Sequence, residues 1–80
     1  MQIHVKLMAS FRSKVPAGAK GGIATLELAN GARIVEALAL LKIPADHVHL
    51  VMVNGAQEPD RQRVLADGDE LVVFPPVAGG

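Results

Sequence analysis

The residues of this sequence with the clearest capacity for chemistry occupy its last six positions. They are Pro75, Pro76, Val77, Ala78, Gly79 and Gly80. Two successive prolines remove two backbone donors and fix φ, so the segment can continue neither a sheet nor a helix interior. An extended, polyproline-like segment of this length reaches about 20 Å. We therefore predict a tail that leaves the packed domain and presents the carboxylate of Gly80, rather than an ordinary frayed end.

Gly80 is the candidate reactive residue, and the tail before it is expected to support it. A carboxylate on a residue without a side chain, preceded by Gly79, can enter a slot too narrow for other amino acids. That carboxylate is ionised at neutral pH and is a poor electrophile until it is activated. The chain supplies no activation itself, because Gly18–Gly22 lacks the spacing of a phosphate-binding loop and no cysteine can carry a persulfide. The alternative for Gly79 and Gly80 is simple flexibility.

Two other groups of polar residues carry weaker indications of chemistry. His47 and His49 are two residues apart and, with His4, suggest a metal site, but the sequence places no further ligand. We therefore predict no metal centre. The acidic run Asp67–Glu70 contains an Asp-Gly-Asp sequence that is typical of turns. It supports no catalytic role, although it could pair with a basic partner.

Hydrophobic periodicity in the first half predicts two strands and a helix. Residues 2–8 and Ile23–Leu28 alternate apolar with polar side chains, which is typical of half-buried strands, and residues 9–22 between them are expected to form a loop. A helix is expected to begin near Ala32, and Pro44 prevents it from continuing. Its apolar stripe comprises Ile34, Ala37, Leu38 and Leu41.

The second half predicts three further strands. Val48–Val53 is an apolar run that ends at Asn54-Gly55, a strong hairpin signal. A short edge segment follows at Ala56–Glu58, and the last strand is Leu71–Phe74. The order indicates an α+β fold, a mixed sheet of four to five strands with one main helix on one face. We assign 1–74 to the domain and 75–80 to the tail.

Residues around the last strand suggest where a partner docks. Val72 and Phe74 lie on the opposite face from Leu71 and Val73, so Phe74 is exposed if the helix covers those two. An exposed aromatic side chain beside a functional tail favours partner docking. The alternative is that Phe74 folds over the sheet edge as core. Val64–Leu65 is expected to tuck against the core.

Composition and charge bound the class of protein. Eighty residues make one domain, half of them are apolar, and only two are aromatic, so the core must be aliphatic. No apolar run is long enough to cross a membrane and no secretion signal is evident, which favours a cytoplasmic protein. Residues 1–42 hold six basic and two acidic side chains, and residues 43–80 hold the reverse. Without a dense basic cluster, nucleic-acid binding is poorly supported. The acidic excess nearer the tail could steer it toward a basic partner, unless folding mixes the two halves.

The strand order together with the ending resembles the β-grasp, ubiquitin-like sulfur carriers of the MoaD/ThiS family. The segment Asp67–Gly80 is similar to the end of the small subunit of molybdopterin synthase, where a Gly-Asp-Glu turn feeds a strand and a Pro-Pro-x-x-Gly-Gly tail. Two features depart from that pattern. The short connection 41–48 is more similar to thiamin-pathway carriers. Ala32-Arg33 stands where the family often has a Thr or Ser helix cap, so either Asn30 caps the helix or the capping is weaker. Further similarity lies in Lys6–Arg12, Gly31-Ala32 and Val51–Gly55.

The resemblance implies a protein that carries sulfur for other enzymes. A ubiquitin-activating-type enzyme similar to MoeB or ThiF would use ATP to adenylate Gly80, and a sulfur donor would convert it to a thiocarboxylate. A large catalytic subunit similar to MoaE would then spend that sulfur in molybdenum-cofactor synthesis. The chain itself would bind no cofactor and act as a co-substrate or small non-catalytic subunit. The alternatives are a carrier for thiamin or another thiolation pathway, a ubiquitin-like modifier, and a β-grasp interaction module without chemistry.

Overall fold

A single five-stranded mixed sheet forms the framework of the protein. The computed structural model describes residues 1–15, 19 and 21–76. In chain order the elements are β1 (Gln2–Leu7), a 3₁₀ helix (Ala9–Lys14), β2 (Ile23–Glu27), α1 (Ile34–Leu40), a second 3₁₀ helix (Ala45–His47), β3 (Leu50–Val53), β4 (Ala56–Gln57) and β5 (Glu70–Phe74). The sheet order is β2-β1-β5-β3-β4, with β1 and β5 parallel and every other pair antiparallel. The predicted strand order and α+β class are confirmed.

The core lies between one face of the sheet and α1. Along β1, inward side chains alternate strictly with outward ones, as predicted for residues 2–8. The helical stripe predicted from Ile34 to Leu41 is buried in full. The aliphatic core expected from composition is also confirmed, with Phe11 as its aromatic member. The side chains with no exposed surface or almost none are Ile3, Val5, Ile34, Leu38, Val51, Val53, Leu71 and Val73.

The start of α1 differs from the prediction by two residues. Ala32 and Arg33 are not helical: Arg33 is extended and forms an isolated bridge with Val64. The alternative in which Asn30 caps the helix is wrong as well, because the Arg33 backbone N–H donates to Glu36 Oε1 at 3.1 Å. A glutamate at the third helical position that reaches back in this way satisfies one donor at the helix entrance.

The free backbone donors of the first helical turn are satisfied by a segment distant in sequence. Ile34 N–H donates to the Arg63 carbonyl and Val35 N–H donates to the Arg61 carbonyl, each at 3.0 Å. The first N–H groups of any helix lack partners within it, so these two bonds replace a side-chain cap. They also fix residues 61–63 beside the helix.

The end of α1 follows a recognisable backbone motif. Ile43 N–H donates to the Leu38 carbonyl and Lys42 N–H donates to the Ala39 carbonyl, each at 3.0 Å, which is the Schellman pattern. Lys42 occupies the left-handed position, at φ +59°, where glycine is the usual residue. The helix thus ends before Pro44, as predicted.

Two connecting segments differ from the prediction in part. The loop predicted over 9–22 begins with the 3₁₀ helix Ala9–Lys14, which buries Phe11. Leu65 tucks against the core, and its N–H donates to the Ala32 carbonyl at 2.8 Å, as expected. Val64 does not, because it is 51% exposed.

The turn after β3 has the predicted chemistry. Asn54 and Gly55 both have positive φ, +51° and +84°, which is the backbone of a type I′ hairpin turn. Among the described residues, no helix is long and apolar enough to cross a bilayer.

Candidate functional site

The predicted tail begins at the end of the strand that lies in the middle of the sheet. β5 is flanked by β1 on one side and β3 on the other. Hydrogen bonds hold its end on both sides: Met8 N–H donates to the Val73 carbonyl at 3.0 Å, and His49 N–H donates to the Phe74 carbonyl at 2.9 Å. The root of the tail is therefore held firmly by the domain.

The described part of the tail consists of its two prolines. Pro75 is half-buried and Pro76 is exposed. The other tail residues assigned a role, Val77, Ala78, Gly79 and Gly80, lie outside the described residues. The roles of Gly80 as the reactive residue and of its neighbours as support therefore stay predictions.

The two residues predicted to dock a partner share the outer face of β5. Val72 lies between Lys6 on β1 and Met52 on β3, and Phe74 lies opposite Leu50. Both Val72 and Phe74 are half-buried. The expectation of an exposed Phe74 is therefore wrong in degree, because a cross-strand neighbour lies directly opposite it. The alternative of a core Phe74 is wrong too, since the core cluster does not contain it.

These residues form part of a larger apolar surface, which we call the outer patch. Its members are Leu50, Met52, Val72 and Phe74, which are neighbours across β3 and β5 on strand positions that face away from α1. All four are half-buried. A contiguous apolar surface of this kind is typical of a protein interaction site. Sequence reasoning found Val72 and Phe74 but missed Leu50, because only the strand register brings it beside β5.

The acidic turn before β5 has a structural role that its sequence did not reveal. Asp69 is 8% exposed. Its Oδ1 accepts a hydrogen bond from Asn54 Nδ2 at 2.9 Å, and its Oδ2 accepts one from Ala66 N–H at 2.8 Å. Asn54 Oδ1 in turn accepts one from Glu70 N–H at 2.9 Å. Oδ1 of Asp69 thus holds the start of β5 to the hairpin turn, Oδ2 holds the preceding loop at Ala66, and the carboxylate is not presented to a partner.

The three histidines lie on separate segments of the described chain. His4 Nδ1 is 3.3 Å from Thr25 Oγ1 on the outer face of β1 and β2. His47 ends the second 3₁₀ helix, and the exposed His49 precedes β3. Among the described residues, no group of three or more His, Asp or Glu side chains is placed to hold a metal ion.

Comparison with known proteins places this architecture in a defined group. The family model described as the ThiS family matches residues 5–80. No curated protein sequence matches the chain.

Solved structures from archaea and bacteria share the fold along the whole chain. SAMP1 from Haloferax volcanii is 27% identical, with a TM-score of 0.73 and full coverage of both chains. A candidate molybdopterin converting factor, subunit 1, from Pyrococcus furiosus is 30% identical, with a TM-score of 0.72 and coverage of 95% of this chain and 98% of that one. Subunit 1 of the Helicobacter pylori molybdopterin-converting factor, solved in complex with subunit 2, is 21% identical, with a TM-score of 0.63 and full coverage of both chains, and shows the fold alone. The predicted ubiquitin-like β-grasp fold is confirmed.

Proposed function

The chain belongs to the ThiS family, and on that premise we propose that it is a sulfur carrier whose Gly80 carboxylate is adenylated and then converted to a thiocarboxylate. The observation that carries this proposal is the match over residues 5–80, which includes the Gly79-Gly80 pair as well as the domain. The position of the tail root supports it, because Phe74 leads into Pro75 from a strand that is paired on both sides, by β1 and by β3. A carrier of this kind needs a rigid domain for recognition and a reactive end for transfer.

The proposed reaction has two steps that balance without a redox change. An oxygen of the Gly80 carboxylate attacks the α-phosphorus of ATP, and pyrophosphate leaves to give an acyl-adenylate. Hydrosulfide, or a donor at the same oxidation level, then attacks the acyl carbon; the new C–S bond forms, the C–O bond to AMP breaks, and a proton is released. Both steps take place on an activating enzyme similar to MoeB or ThiF, because the chain has neither phosphate-loop spacing nor cysteine.

We propose that the sulfur is spent in molybdenum-cofactor synthesis, in the cytoplasm, on a large catalytic subunit. The 30% identity with the Pyrococcus furiosus protein supports this assignment. The outer patch supports the proposal of a large-subunit partner. Its half-buried Val72 and Phe74 lie beside the tail root and offer an apolar surface for docking. The chain would then serve as a small subunit and bring no cofactor of its own.

The test is intact-protein mass spectrometry on the full chain. The protein is incubated with ATP, sodium sulfide and a ubiquitin-activating-type enzyme from the same organism. The expected result is a mass increase equal to one oxygen replaced by sulfur, located on Gly80 by fragmentation. The matched control is Gly80→Ala, which is expected to fold normally and to remain unmodified. An unchanged mass with every such enzyme of the organism contradicts the proposal, and normal adenylation of Gly80→Ala contradicts the narrow-slot argument.

A second function, protein modification, is favoured by the 27% identity with SAMP1 over the full length of both chains. SAMP1 is a small archaeal modifier protein by its description. The same acyl-adenylate would then react with a lysine amine, forming an isopeptide bond and releasing AMP. Tryptic peptides with a lysine joined to the chain's last residues, found in native extract, would identify a modifier. Large-subunit capture together with the thiocarboxylate mass would identify the molybdenum-cofactor carrier. Thiocarboxylate formation without that capture would favour thiamin or another thiolation pathway.

A third alternative is an interaction module without chemistry. Deletion of Gly79-Gly80 distinguishes such a module from a carrier. A module keeps both its partner and its activity after the deletion. A carrier keeps the partner but loses transfer.

A further inference from the structure

A cavity of about 300 Å³ lies at the end of β1, beside the start of β2. It is therefore near the edge of the sheet opposite to β4. Its walls are the residues Lys6, Leu7, Met8, Ala9 and Arg12 and the pair Gly21-Gly22. Its volume is at the lower end of the range of small-molecule sites, which starts at about 300 Å³. The proposed tail chemistry uses none of these residues.

Two cationic side chains line this cavity, and no Asp or Glu among the described residues does. Lys6 comes from β1, and Arg12 comes from the 3₁₀ helix that follows it. Within the described ranges, the single ion pair joins Arg63 to Glu58 at 2.9 Å, so neither cation has a described carboxylate within ion-pair distance. Two positive charges that line one concave wall attract an anion, and Arg offers a planar fork suited to phosphate oxygens.

The backbone around the cavity adopts an uncommon conformation. Ala9, Gly21 and Gly22 have φ of +50°, +60° and +77°, so three wall residues are left-handed. A Cβ added at either glycine would meet no atom within 4 Å, which means that open space adjoins the main chain there. Glycines in such a loop let a ligand approach the backbone closely, and successive turn residues of this kind are common around bound phosphate. A left-handed alanine is a costly conformation that is concentrated at functional sites.

We propose that this cavity binds the phosphate or diphosphate group of a small phosphorylated molecule. The pair of cations and the glycine main chain suit the phosphoryl oxygens, and Met8 and Ala9 give the other wall an apolar surface for the organic part. A ligand that offers only a single carboxylate would need neither a cavity of this volume nor two cations. The site adjoins the tail root, because Met8 N–H donates to the Val73 carbonyl at 3.0 Å.

The test is an NMR titration of the full chain with inorganic pyrophosphate, at an ionic strength held constant with sodium chloride. Saturable shifts are expected at the backbone amides of Lys6, Met8, Arg12, Gly21 and Gly22. Arg12→Gln is expected to weaken pyrophosphate binding about tenfold or more, as the loss of one charge-assisted contact does. Lys6→Gln tests the second cation on a different element.

Lys14→Gln is the matched control. It removes the same charge from the same 3₁₀ helix, but Lys14 lies outside the cavity and its Nζ donates to the Lys42 carbonyl at 3.4 Å. Its pyrophosphate affinity is expected to equal that of the wild type. Shifts that do not saturate, an equal loss in Lys14→Gln, or an equal response to sodium acetate would each overturn the proposal. Because the titration involves neither Gly80 nor a partner enzyme, its failure would leave the carrier function untouched.

Discussion

The two faces of β5 carry similar side chains but have opposite roles. Leu71 and Val73 face α1 and have no exposed surface, whereas Val72 and Phe74 face away from it and are half-buried. Residue type does not distinguish the two pairs, since valine occurs in both. What distinguishes them is whether a helix covers the face. The inner face is therefore part of the core, and the outer face is the one that we propose a partner recognises.

The sharpest test of this difference is the same substitution on adjacent residues of one strand. Val73→Ala is expected to lower the free energy of unfolding by about 2–3 kcal/mol, because it removes two buried methyl groups and leaves a cavity. Val72→Ala is expected to cost less than about 1 kcal/mol. Urea unfolding followed by circular dichroism measures both. Equal losses would mean that the outer face is as much a part of the core as the inner one.

Substitution of Asp69 tests whether the stability of the domain depends on the hydrogen bonds among Asp69, Asn54 and Ala66. Asp69→Asn keeps the shape but replaces one acceptor oxygen with an N–H donor, which must then face either Asn54 Nδ2 or Ala66 N–H. We expect a loss of about 2 kcal/mol in the free energy of unfolding. Asp67→Asn is the control. Its Oδ1 accepts one exposed bond from Gln2 N–H at 2.7 Å, and the substituted residue keeps an acceptor for it. A loss for Asp67→Asn as large as that for Asp69→Asn would refute the role assigned to Asp69.

Lys42, just after the end of α1, is not the optimal residue for the backbone conformation at that position. Lys42→Gly is expected to raise the free energy of unfolding by about 0.5–1 kcal/mol, because glycine adopts the left-handed conformation at φ +59° without a Cβ penalty. Thermal unfolding detects the gain. Lys42→Ala removes the same charged side chain and keeps the Cβ, so it should give no gain. A gain from alanine equal to that from glycine would assign the effect to charge instead.

The smallest expected change in stability belongs to the outer face. Val72→Thr keeps the β-branched shape and should change the free energy of unfolding by no more than about 0.5 kcal/mol. Affinity for the activating enzyme or the large subunit is nevertheless expected to fall about tenfold, because a polar hydroxyl would be buried at the interface without a partner. Titration calorimetry measures that affinity. Val64→Thr, at an exposed valine away from the outer patch, is the matched control and should bind normally. Equal affinities for all three proteins would remove Val72 from the docking surface.

The sequence predicted the features that depend on local periodicity. The alternation along β1, the stripe of α1 and the Asn54-Gly55 turn are each encoded within a few residues, and each is confirmed. The features that were missed depend on contacts between distant segments. The carbonyls of Arg61 and Arg63 at the helix entrance are one example, and the bonds between Asn54 and Asp69 are another.

In the candidate site, too, local patterns were predicted and contacts between distant segments were missed. Val72 and Phe74 were assigned to one face by alternation, but their exposure depends on Leu50 and Met52, which reach them through the β3–β5 register. The cavity could not be predicted, because Arg12 and Gly21-Gly22 come together only when a predicted loop begins as a 3₁₀ helix. Gly80 lies outside the described residues and stays a prediction from the chemistry of the tail.

The central position of β5 also has a mechanical consequence. Residues of β5 are in register with four residues of β1 and with four of β3. When an enzyme pulls on the chain beyond Phe74, the force runs along the strand and loads both ladders at once, in shear, instead of peeling an edge one bond at a time. A partner that binds the tail in the way we propose would therefore be able to pull on the chain without unfolding the domain.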